Sequence, residues 1–86
     1  LTFPQLTEER RKEIVKQVSR MAEESKVAIR SIRRDANDRF KAMKKNGEAT
    51  EDDVKSLETQ MQKLTDKFVE EIEKLAAAKE KEVLSI

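Results

Sequence analysis

Lys26-Val27-Ala28-Ile29-Arg30-Ser31-Ile32-Arg33-Arg34-Asp35-Ala36-Asn37-Asp38 contains no Gly and no Pro, and its basic side chains share a different helical face from its apolar ones. A segment of this kind is the middle of a long amphipathic helix rather than a strand or a loop. Going outward in both directions, apolar or small residues recur at Ile14, Val18, Met21, Ser25, Ile29, Ile32, Ala36, Phe40 and Met43. The steps alternate fours and threes in an eleven-residue repeat, about 3.67 residues per turn, which keeps a helix nearly straight. A strict heptad would wind a left-handed supercoil instead.

The ends of this helix are marked chemically. Thr7 is a suitable N-cap, and Glu8 and Glu9 put negative charge where the helix dipole favours it. Lys44 and Lys45 put positive charge at the other end, and Gly47 suits the left-handed position just past a C-terminus. Thr50 opens a second helix with Asp53 three residues on, the spacing of a capping box. Val54, Leu57, Met61, Leu64, Phe68, Ile72, Leu75 and Val83 form its seam, again with elevens between members. Ala76, Ala77 and Ala78 permit close approach of a neighbour.

The spacing therefore predicts one helix over about 7–46 and another over about 51–84, joined by a turn too short for anything but an antiparallel hairpin. Rods of roughly 60 and 50 Å result. Two such rods do not enclose a core, and Leu64, Phe68, Val69 and Ile72 cover a wider arc than one neighbour needs. The expected fold is all-α: a long antiparallel helical hairpin making two of the three helices of an elongated three-helix bundle. Residues 1–5 read as a lead-in, with Pro4 biasing Phe3 toward extended backbone, and residues 6–86 as the bundle part. The chain opens on Leu1, as a processed product or a fragment of a longer protein does.

Composition narrows the chemistry. Of the 86 residues, 43% are charged and 3% aromatic, too charged for an ordinary globular core. There is no Cys and no His, so disulfides, thiolate chemistry and the commonest general base and metal ligand are all excluded. Carboxylates are abundant but sit at solvated helix positions without a nucleophile or a Gly-rich loop, so no enzyme, metal or cofactor is expected. Glu70-Glu71 and Glu80-x-Glu82 read as solvated surface rather than a cation site. No apolar run approaches a membrane span and no stretch reads as a signal peptide.

Charge is unevenly spread. Residues 1–25 balance five basic against five acidic side chains, 26–45 hold eight against two, and 46–86 hold six against eleven, so the overall +1 hides a basic centre. With Arg11 at zero on a helical wheel, Arg33 falls at roughly 40°, Lys26 and Lys44 near 60°, Asn37 near 80° and Arg30 near 100°. Beyond Glu8 no carboxylate of this helix falls in that sector; Glu13, Glu24, Asp35 and Asp38 lie at roughly 180–240° and the apolar face near 330°. Such a run is ordinarily a solvated face. Arg34 with Asp38, and Asp35 with Arg39, have the spacing of helix ion pairs, whereas Arg30 and Arg33 have no acid four residues away. Those two are the better candidates for phosphate contact. Without a Trp or Tyr there is no base-stacking platform, so recognition would be of backbone and shape.

Leu6-Thr7-Glu8-Glu9-Arg10-Arg11-Lys12, the central Lys26–Asp38 segment with its Val-x-x-Arg-x-x-Arg-Arg-Asp pattern, Leu64-Thr65-Asp66 and the Lys79-Glu80-Lys81-Glu82-Val83-Leu84 ending together resemble the C-terminal part of ribosome recycling factors, over residues 6–86. The resemblance implies the second and third helices of a three-helix bundle, with the first helix and a small inserted β/α domain absent and Leu1–Gln5 as the returning hinge. It implies a factor without catalysis of its own. Together with elongation factor G, whose GTPase supplies the energy, the family splits the post-termination ribosome and releases mRNA and tRNA. The bundle lies against large-subunit rRNA at the intersubunit face, and the arginines implicated match Arg11, Arg30 and Arg33 here. The expected RNA-binding set is Arg11, Lys26, Arg30, Arg33, Asn37 and Lys44. The expected partners are the ribosome, elongation factor G and the missing first helix, and the expected setting is a bacterial cytoplasm, or an organelle for an organellar homologue. The competing reading is a structural helical hairpin that assembles with other proteins and has no RNA role.

Overall fold

A computed structural model describes residues 7–85; the lead-in at 1–5 lies outside them. Two helices, α1 (Glu8–Lys45) and α2 (Glu51–Leu84), lie antiparallel and make up nearly all of the described chain. The molecule measures 70 × 17 × 15 Å, and its radius of gyration is 19.7 Å, where a compact domain of this length has roughly 12 Å.

Local chemistry sets the boundaries. The Thr7 hydroxyl accepts from the Arg10 N–H at 3.0 Å and starts α1. At its end the Gly47 N–H donates to the Lys44 carbonyl at 3.1 Å and the Glu48 N–H to the Met43 carbonyl at 2.8 Å, the paired bonds of a Schellman ending. Gly47 has φ +77°, which a side chain would make strained. Thr50 and Asp53 then cap each other: the Asp53 N–H donates to the Thr50 hydroxyl, and the Thr50 N–H to Asp53 Oδ2, both at 3.1 Å. Thr50→Ala is expected to cost about 1 kcal/mol, read as a lower urea midpoint with an unchanged slope.

The contact line between the helices differs from the seams read above. On α1 the half-buried side chains, among them Val18, Ala22, Ile29, Arg33 and Phe40, centre at roughly 15° rather than 330°. Met21 and Ile32, both seam positions, are exposed. On α2 the most buried residue is Thr65, at 3% exposure, with Val54 next at 6%, while Leu64, Phe68 and Leu75 are about half or more exposed. The Thr65 hydroxyl is tolerated there because it donates to the Met61 carbonyl at 2.8 Å. An apolar face wide enough for two neighbours has its centre between them. With only α2 present, α1 turns one edge of its face inward and leaves the other open, and α2 does the same.

The hairpin consequently has two unlike long sides. Along one, Val18, Met21, Ile72 and Leu75, then Ile29, Ile32, Leu64 and Phe68, line a nearly all-apolar groove. Along the other runs a ladder of polar side chains that cross from helix to helix. Ala22 and Ala76 line both sides and put small side chains at the contact between them.

Candidate nucleic-acid interface

Three of the basic residues of α1, Lys26, Arg33 and Lys44, lie on the polar ladder. Ser19 Oγ donates to Glu80 Oε1 at 2.9 Å, Lys26 Nζ meets Glu73 Oε1 at 3.2 Å, and an Arg33 terminal N–H donates to Gln62 Oε1 at 3.0 Å. Lys44 Nζ stands 4.0 Å from Glu51 Oε1 at the turn. As the α1 number rises the α2 number falls, as antiparallel packing demands. Ser19, Lys26 and Arg33 are spaced by sevens, so each second turn of α1 reaches across at the same edge.

The sector that past Glu8 contains no acid of its own on α1 is therefore lined by acids of α2. A wheel drawn on one helix cannot include the other. Glu23, just past the sector's margin, also reaches Lys26 Nζ, at 3.2 Å. Hydrogen bonds to Glu73 first and Glu23 second hold the Lys26 ammonium above the ordinary value of 10.5. Being a raised lysine, it contributes fully below that value, and the contribution is lost only in strongly alkaline solution. Lys26 enters the site with its charge matched.

The other candidates differ among themselves. Arg30 is exposed, lies farthest round from α2, and forms no hydrogen bond or ion pair with any of the described residues. Arg33 is half-buried and bonds one neutral oxygen. Arg11 is half-buried at the start of the same edge. Asn37 is half-buried too, and its Oδ1 is buried without a donor among the described residues. Lys44 is exposed. The pairs expected within α1, Arg34 with Asp38 and Asp35 with Arg39, are not formed within 4.0 Å among the described residues. Exposed pairs gain too little to fix two long side chains. The salt bridges that do form on one helix have other members, Arg10 with Glu13, Lys26 with Glu23, Lys74 with Glu70 and Lys79 with Glu82.

No group of His, Cys, Asp or Glu among the described residues has the arrangement of a metal site, and no helix there is long and apolar enough to cross a membrane. What the ladder edge offers is a row of cations on a long rod with differing degrees of internal neutralisation.

A family model described as ribosome recycling factor matches residues 1–84. The chain belongs to the ribosome recycling factor family. It is 64% identical over its whole length to the ribosome-recycling factor of Caldicellulosiruptor saccharolyticus, covering 47% of that protein. It is 60% identical to the one of Acetivibrio thermocellus, again over the whole chain and 47% of that protein, and 56% identical to the one of Clostridium novyi, covering 46%. The chain thus spans about half the length of these curated relatives. Membership places it among translation proteins named for ribosome recycling.

Reading the sequence by one helix missed Gln62, Glu73 and Glu80, which decide how each basic or polar side chain on the ladder is held. A signal was present. Counting outward from the Gly47 turn in an antiparallel hairpin brings position 33 opposite about 62, and position 26 opposite about 69, one helical turn short of Glu73.

Proposed function

We propose that this segment is the rRNA-facing part of a ribosome recycling factor, and that its ladder edge meets the phosphate backbone of the large subunit. Arg30 and Arg33 lead the contact; Arg11, Asn37 and Lys44 extend it along the rod, and Lys26 contributes least because Glu73 and Glu23 already match it. In the complete factor the apolar groove is covered by the first helix of the same protein. The bundle then acts with elongation factor G to split the post-termination ribosome, as a rigid wedge rather than by chemistry of its own. A bacterial cytoplasm is the setting that the relatives support.

The observation that carries this reading is the sidedness of the hairpin. Arg30, exposed and without an internal partner, lies on the edge away from the groove. A helix seated in the groove therefore leaves the basic edge open. A hairpin with charges for solubility alone accounts for Lys26 and Lys44 but gives no reason for that segregation.

The test uses a factor of the relatives' length that carries this chain as its helical segment. Arg33→Ala is expected to weaken binding to large ribosomal subunits about tenfold, and to lower the slope of log K against log salt by about one. Unchanged binding at every salt concentration would remove the rRNA reading.

A further inference from the structure

We propose that Gln62 is a positioning residue for Arg33, holding its guanidinium at the RNA-facing edge without cancelling its charge. The proposal rests on the rRNA reading above and adds to it a residue of the helix that carries no part of the basic face.

The geometry has two links. Arg33 donates one terminal N–H to Gln62 Oε1 at 3.0 Å. Gln62 donates from Nε2 to Asp66 Oδ1 at 2.8 Å, one turn farther along α2. The second link fixes the amide: with its nitrogen committed to Asp66, the oxygen is the end that faces Arg33. An arginine has five N–H donors, so four remain for a phosphate. Pre-fixing a long side chain removes ordering that binding would otherwise have to impose. Donation onward to a carboxylate polarises the amide and strengthens its hold on the guanidinium.

The neighbouring rung supplies the comparison. Seven residues before Arg33, Lys26 faces carboxylates, Glu73 from α2 and Glu23 from α1, each at 3.2 Å. A contact that serves only to hold the helices together is made at least as well by a carboxylate, as at that rung. At the Arg33 rung the acid is moved one turn away and an amide stands in its place. The guanidinium is held, its positive charge stays available, and Arg30 lies three residues off on the same side of the rod.

Gln62→Glu separates the two roles, because it retains a partner for Arg33 and adds the missing negative charge. In the complete factor, Kd for isolated large ribosomal subunits is measured across a salt series, with thermal melting alongside, for Q62E, Q62A, R33A and the two double variants. Q62E is expected to melt within a degree or two of the parent, to bind about fivefold or more weakly, and to show a salt slope lower by about one. Q62A is expected to bind about threefold more weakly with an unchanged slope, since the charge is still present but free to move. In the R33A background neither change at position 62 has a further effect. If Q62E and Q62A bind like the parent while R33A is weakened, Gln62 has no positioning role and the rRNA reading stands. Weakening of equal size with and without Arg33 also overturns the proposal, because Gln62 would then act independently. Normal binding by R33A removes the rRNA reading and the proposal with it.

Discussion

Phe68→Asp is expected to destabilise a complete factor by about 3–5 kcal/mol and the 86-residue chain alone by about 1 kcal/mol or less. In the hairpin Phe68 is 48% exposed and forms one wall of the groove that also holds Ile29, Ile32, Met61 and Leu64. Half of its ring area is thus already in water, and an aspartate there loses only the contacts of the inner half. If a helix of the same protein fills the groove, the ring is enclosed. The substitution then forfeits its burial and also places a carboxylate in an apolar slot whose one side-chain donor, the Thr65 hydroxyl, is already committed to the Met61 carbonyl. Urea unfolding of the two proteins, each with and without the substitution, reads the difference directly. Equal losses in both would mean that the rest of the protein does not cover this groove, and the three-helix reading would fail. Arg30→Ala is the matching control, because its exposed side chain on the opposite edge has no partner to lose and stability should change by no more than about 0.5 kcal/mol.

Caps and turn were readable in the sequence because each depends on a few adjacent residues. Thr7, Gly47 and the Thr50–Asp53 pair act over a turn or less of backbone, so type and spacing suffice. The direction of packing was less readable. Leu64, Phe68 and Leu75 carry the apolar period as well as Met61 or Ile72 do, and nothing in their own chemistry says which neighbour each will meet. Thr65 was passed over because a hydroxyl reads as polar, although in a helix it is satisfied by the carbonyl four residues back and takes little room at a close contact. Periodicity finds the width of an apolar face, and the number of partners decides where within that width each contact line runs.

The basic edge shows the same limit from the electrostatic side. That Arg30, Arg33 and Lys26 share a sector follows from their numbers alone. That Lys26 is matched by two carboxylates, Arg33 is held by an amide and Arg30 by neither depends on α2. The absence of acids four residues away from Arg30 and Arg33 was informative, yet the converse was not: Arg34 and Asp38 have favourable spacing and remain apart. At exposed helix positions the gain from one pair is comparable to the cost of ordering it, so spacing permits such a pair without requiring it. Across the hairpin, Lys26 is half-buried and its reach to Glu73 is confined by the packed helices, which is why that contact forms.

The 86-residue chain alone is expected to melt at a temperature that rises by several degrees for each tenfold increase in concentration between about 1 and 100 µM. Val54, still 6% exposed, is the one buried hydrophobic residue among those described, and a two-helix core of this kind supplies little free energy on its own. Capped ends and long runs of good helix formers favour the rods locally, but helices of this composition take most of their stability from a packed face. Here that face is half open: Met21, Ile32, Leu64, Phe68 and Leu75 are all exposed. Met21 and Leu75 line one stretch of the groove, and Ile32, Leu64 and Phe68 the next. A second copy can cover it, and each copy that docks removes folded chain from the unfolding equilibrium. Circular dichroism melts over that concentration range, paired with sedimentation equilibrium, test the expectation. Phe68→Asp should remove the concentration dependence, because it charges the surface on which the copies meet, while leaving the monomer's own small core nearly intact. A concentration-independent, cooperative melt of a monomer would show instead that the hairpin is self-sufficient. The groove could then not be explained as the half-built core of a larger bundle, and its row of apolar side chains would need another purpose.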